Sequence, residues 1–340
     1  MNNNVQKNAT ITSILPWHSR QWEQFYTTKQ HQRLPHALLL VGPSGLGKKQ
    51  FAESMARSIL CMQPSSTGEA CGECHGCCLL KADAHPDFIK VSPETGQMIK
   101  IDQIRDVITS VSETPMQGGF RVIMITPAHA MNLAAASALL KTLEEPAGRT
   151  LFILISDNNL RLPATISSRC QNIIFAIPER THALEWLQAQ LDQSSLLIEA
   201  ELLLHLADGA PVKALALAVP SWLALRQEIY QGLIALHQKQ ADPLQLAAQW
   251  QEHDLQTLLH LLFYWIRDIV RLQSSANFTV LMNKDYADVL TTLTISSEAV
   301  FAFLDLVQQR LGKIIYLQSL NRQLLLEELL IRWAQCYVPG

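Results

Sequence analysis

Gly42, Gly47 and Lys48 stand at the spacing of a phosphate-binding loop, G-x-x-x-x-G-K-[ST], inside the stretch LLLVGPSGLGKK at 38–49. In such a loop the glycines let backbone N–H groups face phosphates, the lysine reaches the β- and γ-phosphates, and the closing hydroxyl holds Mg²⁺. Lys49 occupies the hydroxyl's position, and a second ammonium cannot ligate a cation. A further departure follows downstream. In an active ATPase of this type, a buried strand ends in an acidic residue that holds Mg²⁺, commonly followed by a glutamate that polarises the attacking water. Here Val122-Ile123-Met124-Ile125 runs into Thr126-Pro127. Three groups that would handle metal and water are missing together, so the residues predict a nucleotide-hydrolase scaffold without chemistry of its own. ATP binding is not expected, although Gly42, Gly47 and Lys48 retain groups able to hold a phosphate. His129, close to that strand end, reads as a hydrogen-bonded surface residue rather than a substitute base.

The cysteines suggest a second kind of chemistry. Of seven, Cys61, Cys71, Cys74, Cys77 and Cys78 fall within 18 residues, while Cys170 and Cys336 stand apart. The spacing Cys61-x9-Cys71-x2-Cys74-x2-Cys77 suits a structural zinc ion, because C-x2-C turns present two thiolates to one tetrahedral ion without strain. Cys78 is an alternative to Cys77, but adjacent side chains rarely both turn inward and the regular x2 spacing favours Cys77. His75 is the other candidate ligand. Unligated reduced thiols and a redox role are the competing readings.

These groups need elements to position them. A helix at Gln21–Gln30 puts Trp22 and Phe25 on one face. The strand at 38–41 enters the loop, and a helix from Lys48 to Leu60 leaves it with Phe51, Met55 and Ile59 aligned. Strands are expected at Phe88–Val91, Arg121–Ile125, Leu151–Ile155 and Ile173–Phe175, and helices at Ile101–Ser112 and Asn132–Glu145, the second stopped by Pro146. Gly118-Gly119 punctuates the approach to the strand at 121–125. Strands alternating with helices predict a parallel sheet covered on both faces.

The 340 residues suit two or three domains, and a 48% hydrophobic content supplies sizeable cores. A net charge of −3 argues against a chain that binds nucleic acid alone through a dominant basic surface. The opening MNNNVQKNAT lacks a signal peptide's apolar core and no apolar run reaches membrane-spanning length, so a soluble, cytoplasmic protein is expected.

Taken in order, LPW at 15–17, HALLLVGPSGLGK at 36–48, the four-cysteine insert, LLKTLEEP at 139–146 and SSRC at 167–170 resemble the clamp-loader ATPases of bacterial replication, within the AAA+ class. The resemblance runs from about residue 10 to the C-terminus. It implies an α/β AAA+ fold: a RecA-like parallel-sheet domain at 1–178 carrying a zinc module at about 61–78, a small helical lid at 179–220, and an all-α collar at 221–340. Lid helices are read at Thr181–Leu191 and Leu196–Leu206, with a third opened by Gly209-Ala210-Pro211. Long helices are read at Leu255–Leu272 and Ile314–Trp333, the last carrying apolar residues on more than one face.

The resemblance further implies that Arg169 acts in trans as an arginine finger on ATP bound by a neighbouring subunit. A guanidinium is always charged and forks onto phosphate oxygens. The alternative is an arginine that caps a strand or pairs with a nearby carboxylate. The family's sensing arginine has no counterpart, since Val212-Lys213 occupies its place, and Ser156 lies near the first sensor without an assigned role. The implied protein is a non-hydrolysing subunit of a hetero-pentameric clamp loader. Its partners would be the ATPase subunits (gamma/tau) and the clamp-opening delta subunit, with the sliding clamp and primed DNA met through the complex. A divergent ATP-hydrolysing motor subunit using Lys48 and a solitary zinc-containing adaptor are the competing hypotheses.

Overall fold

Three strands in which every residue is buried form the heart of a five-stranded sheet: Ala37–Val41, Arg121–Ile125 and Thr150–Ser156. Branched and aliphatic side chains on both strand faces leave such runs no solvent side, as in a parallel sheet covered by helices on each face. The computed structural model describes residues 14–94, 98–111, 114–117, 119–145, 148–157, 162–194, 200–274, 281–293, 295–313 and 321–336. Pro146, Gly118 and the starts of the helices read at Leu196 and Ile314 lie outside the described residues.

The chain divides into two compact units, Met1–Glu185 with Ala210–Lys213, and Trp186–Gly209 with Ala214–Gly340. In the first, elements alternate: α1 (Ser19–Gln30), β1 (Ala37–Val41), α2 (Lys48–Leu60), α3 (His75–Lys81), β2 (Phe88–Val91), α4 (Ile101–Val111), β3 (Arg121–Ile125), α5 (Leu133–Glu144), β4 (Thr150–Ser156), α6 (Ala164–Ser167) and β5 (Gln171–Ile174). The spatial order is β2-β3-β4-β1-β5, with every pairing parallel. One face of the sheet packs Leu39, Ile123, Phe152 and Leu154 against α4 and α5 residues such as Ile104 and Leu139. The other packs Leu38, Leu40, Met124 and Ile153 against Trp22, Phe51 and Met55 of α1 and α2. Each fully buried aliphatic side chain contributes about 1.5–3 kcal/mol.

Asp87, at the start of β2, is fully buried and accepts hydrogen bonds from the backbone N–H groups of Met116 and Gln117, both at 2.9 Å, while Arg121 lies 3.5 Å away. This carboxylate closes the connection into β3. The short last strand differs from its expected position: β5 covers Gln171–Ile174, not 173–175. Its exposed Gln171, Asn172 and Ile174 reflect its place at the sheet's edge, where only one side meets a partner strand.

The helices that follow are α7 (Arg180–Ser194), α8 (Ala200–Leu206), α9 (Pro211–Leu217), α10 (Pro220–His237), α11 (Pro243–Trp250), α12 (Leu255–Ser274), α13 (Ala287–Thr292), α14 (Ser297–Lys313) and α15 (Arg322–Gln335). The last described helix, α15, begins at Arg322. Asn321 is extended and caps α15, its side chain accepting from the N–H groups of Gln323 and Leu324. Residues 179–220, the expected lid, are shared between the two units.

The second unit is built around Tyr230, Trp250, Trp265 and Trp333, all essentially inaccessible to solvent. Beneath them lies a buried polar cluster. Asp268 accepts from the backbone N–H of Met282 (2.8 Å) and of Asn283 (2.6 Å) and from the Asn283 side-chain amide (2.8 Å). The Asn283 carbonyl oxygen in turn accepts from Arg226 and from the Tyr230 hydroxyl, both at 2.9 Å. Arg226 also binds both carboxylate oxygens of Asp285. Among the described residues no helix is long and apolar enough to cross a membrane.

Candidate functional site: a phosphate loop, a braced arginine and a four-thiol cluster

β1 delivers its chain directly into the loop at the carboxyl end of the sheet. Gly42 has φ +153°, and a Cβ there would sit 2.1 Å from the Phe175 carbonyl oxygen, so no larger residue fits. Lys48 is the first residue of α2 and is 4% exposed. Its ammonium donates to the carbonyls of Gly42 (2.7 Å) and Pro43 (2.6 Å) and pairs with Asp157 Oδ1 at 2.7 Å. Three N–H groups therefore meet three acceptors within the chain itself. Asp157 follows β4 directly, so the sheet's register brings it to the lysine. Lys49 points its side chain to solvent.

Other parts of the chain sit on this loop. The Trp17 indole donates to the Leu46 carbonyl at 3.0 Å, and the N–H groups of Val212 and Lys213 donate to the Gly45 carbonyl at 3.0 and 3.3 Å. A Cβ on Gly45 would lie 2.3 Å from the Lys213 Cβ. Lys213 is thus half-buried against the loop rather than a solvated helix charge. His18 is buried and stands edge-on to Phe51 and Phe175, with ring centroids 5.3 and 4.8 Å apart. Burial pushes its pKa down to about 4; a hydrogen bond with the Leu46 backbone opposes this and the Lys48 charge reinforces it. His18 is therefore neutral at pH 7 and serves as packing. The sequence singled out neither His18 nor Asp157; the nearest signal for the former was its place next to LPW.

At the end of β3, Thr126 donates its N–H to the Val91 carbonyl at 2.9 Å, and no carboxylate follows. Ser156, buried at the end of β4, has its hydroxyl 3.2 Å from His129 Nδ1. His129 is thus hydrogen-bonded but half-buried.

Arg169 lies between α6 and β5, and its guanidinium is folded against its own subunit. Nε donates to Glu144 Oε1 at 2.6 Å, Nη2 pairs with the same oxygen, and Nη1 donates to the Thr165 carbonyl at 2.9 Å and lies 3.4 Å from the Ser168 hydroxyl. The side chain is one-third exposed. The register places it far from the phosphate loop: β5 runs parallel to β1, with Gln171 opposite Leu38 and Ile174 opposite Val41. A parallel strand rises about 3.3 Å per residue, so Arg169 stands at least about 10 Å back from the strand ends that carry the loop. The structure does not bring Arg169 together with Gly42, Gly47 and Lys48.

The four cysteines do come together. Cys61 Sγ lies 3.5 Å from Cys71 Sγ and 3.9 Å from Cys74 Sγ, Cys71 and Cys77 are 3.9 Å apart, and all four sulfurs fall within 4.8 Å of one another. Zn–S bonds of about 2.3 Å in a tetrahedron require S···S separations near 3.8 Å, so the set fits that ion. Backbone N–H groups of Cys71 and Cys74 approach Cys61 Sγ (3.3 Å) and Cys71 Sγ (3.4 Å), as suits negatively charged sulfur. Cys78 is exposed and directs its thiol to the Glu73 carbonyl, while His75 begins α3 outside the group. Cys77, not Cys78, lies with the other three sulfurs. Burial, with help from the neighbouring thiols, pushes Cys77 up to about 12. Cys74 is drawn down to about 6: burial opposes this, but backbone N–H groups and the flanking thiols outweigh it. A bound cation would let all four ionise together. The insert is fastened to α1 by Trp22 Nε1 donating to the Thr67 carbonyl at 3.0 Å and to α2 by the Ser58 hydroxyl donating to the Gly68 carbonyl, while Lys29 of α1 donates to Ser58.

A parallel sheet in this order, with a phosphate loop between its fourth strand position and a helix, defines an AAA+-type P-loop protein. The profile of the family described as "DNA polymerase III, delta subunit" matches residues 17–179, and that of "DNA polymerase III, delta subunit, C terminal" matches 220–335. The DNA polymerase III subunit delta' of Pseudomonas aeruginosa is 37% identical over 334 residues, covering 97% of this chain and 100% of that one. The subunit delta' of Escherichia coli K12 is 31% identical over 328 residues, 96% of each. The subunit tau/gamma of Haemophilus influenzae is 32% identical over 178 residues, 52% of this chain and 25% of that protein. The chain belongs to the DNA polymerase III subunit delta' family.

Proposed function

We propose that this chain is a non-hydrolysing subunit of the DNA polymerase III clamp loader, lending Arg169 in trans to ATP held by a neighbouring subunit. The observation that carries this reading is the placement of Arg169 at the opposite end of β5 from its own phosphate loop, in a chain lacking all three metal- and water-handling groups. An always-charged guanidinium one-third exposed at the surface is suited to another subunit's phosphates. The ATPase neighbours would be gamma/tau and the other contact the clamp-opening delta subunit, in a cytoplasmic hetero-pentamer that places a sliding clamp on primed DNA. Residues 1–178 are the AAA+ domain, 179–220 the lid, and 221–340 the collar. Exposed Phe301, Leu324 and Ile331 on α14 and α15 support an assembly role for the collar.

Isolated and pure, the chain should show no Mg²⁺-dependent ATP hydrolysis above background, because Lys48 is engaged by Gly42, Pro43 and Asp157 and no group holds the metal. Turnover that disappears in Lys48→Ala would overturn the reading and make the chain a divergent motor.

The thiol cluster is read as a structural zinc site held by Cys61, Cys71, Cys74 and Cys77. Anaerobic purification should return about one zinc ion per chain, with Cys77→Ser losing it and lowering the melting temperature. Recovery of less than about half an equivalent would end the zinc assignment.

A further inference from the structure

Glu144 closes α5 and lies 25 residues before Arg169, yet its carboxylate is the principal partner of that guanidinium. Two surfaces of the arginine are held at once. The edge formed by Nε and Nη2 rests on Glu144 Oε1, and Nη1 is held from within by the Thr165 carbonyl. A long, flexible side chain is thereby reduced to one orientation; Nη1 also lies 3.4 Å from the Ser168 hydroxyl, and Nη2, which carries two N–H groups, keeps one beyond its Glu144 contact. Reducing rotamer freedom before a ligand arrives lowers the entropic cost of engaging it. The carboxylate also has a cost, because it places negative charge beside any phosphate the arginine would meet. Since both partners are partly exposed, solvent screens that repulsion.

We propose that Glu144 is a positioning residue for Arg169, fixing the side edge of the guanidinium so that the N–H groups it leaves unengaged are presented to nucleotide phosphates on a neighbouring subunit. This rests on the trans-acting reading above, deepening it by one residue.

The test is a double-mutant cycle in the reconstituted assembly, read by single-turnover ATP hydrolysis at the interface this chain completes, after equal assembly and melting temperature are confirmed. Glu144→Ala should slow hydrolysis about fivefold, the upper range for an exposed pair, with KM for ATP unchanged. Glu144→Gln, whose amide oxygen still accepts from Nε and Nη2, should recover to within about twofold of the parent. In an Arg169→Ala background, Glu144→Ala should add nothing, because the group it positions is gone. An equal loss in both backgrounds, or a silent Glu144→Ala beside a large Arg169→Ala effect, overturns the inference and leaves the trans reading standing. A faster Glu144→Ala assembly also overturns it, by making the carboxylate a restraint. A silent Arg169→Ala defeats the trans reading itself.

Discussion

Replacing Arg169 by alanine should slow ATP hydrolysis at the neighbouring site by on the order of 10²- to 10³-fold while leaving assembly intact. The lower figure is the usual loss when one preorganised donor to a developing charge is removed. Arginine fingers of the GTPase kind reach about 10³–10⁵, which sets the ceiling. Assembly should survive because the side chain is a surface group whose partners, Glu144, Thr165 and Ser168, are all half-exposed or more solvated neighbours of the same unit. The chain's own loop should be untouched, since β5 places Arg169 at the far end of the strand pair. The measurement is single-turnover hydrolysis with clamp and primed DNA present, and total turnover should fall by at least the share of the one affected site. Unchanged hydrolysis would leave Arg169 as a structural partner of Glu144.

Asp268→Ala should be the most damaging single change to stability outside the sheet. The carboxylate is fully buried and receives three N–H groups at 2.6–2.8 Å, two of them backbone donors. Without it these donors stay inside the protein with no acceptor. Leaving a buried donor unsatisfied costs about 1–3 kcal/mol, and removing one partner of a buried charged network about 3–5 kcal/mol. The effect should spread, because Asn283 would lose what orients it toward Arg226 and Tyr230. Asp268→Asn keeps one acceptor oxygen and should lose less. Urea unfolding should show a lower midpoint for the second unit with the slope for the first unchanged. A shift below about 1 kcal/mol would mean that the surrounding chain relaxes to satisfy the orphaned donors.

The strands were readable because buried parallel strands write their environment into composition: ALLLV, RVIMI and TLFILIS have no polar face. The phosphate loop and cysteine spacing were equally local, each set by a turn that admits few residue types. What escaped the sequence was long-range. Lys48 and Asp157 are more than a hundred residues apart, and nothing in either segment marks them as a pair. Glu144 is one of two adjacent glutamates in LLKTLEEP, and its place against Arg169 follows from α5 and α6 packing side by side. β5 was misplaced by two residues because an edge strand tolerates Gln171 and Asn172, which lack the apolar signature of its neighbours. Apolar periodicity also passes over Asn321, a short side chain that accepts from backbone N–H groups and so begins the last helix at Arg322.

The opposite ends of one strand pair thus hold two inheritances that can be kept or discarded separately. Substitutions that erode the loop after Val41 do not touch the arginine before Gln171, so a lineage can let its own fuel site decay while a neighbour's stays under selection. Under the trans reading, such a chain completes the interface on one side and offers nothing on the other. A ring containing it has a first and a last member, and its firing order has somewhere to start.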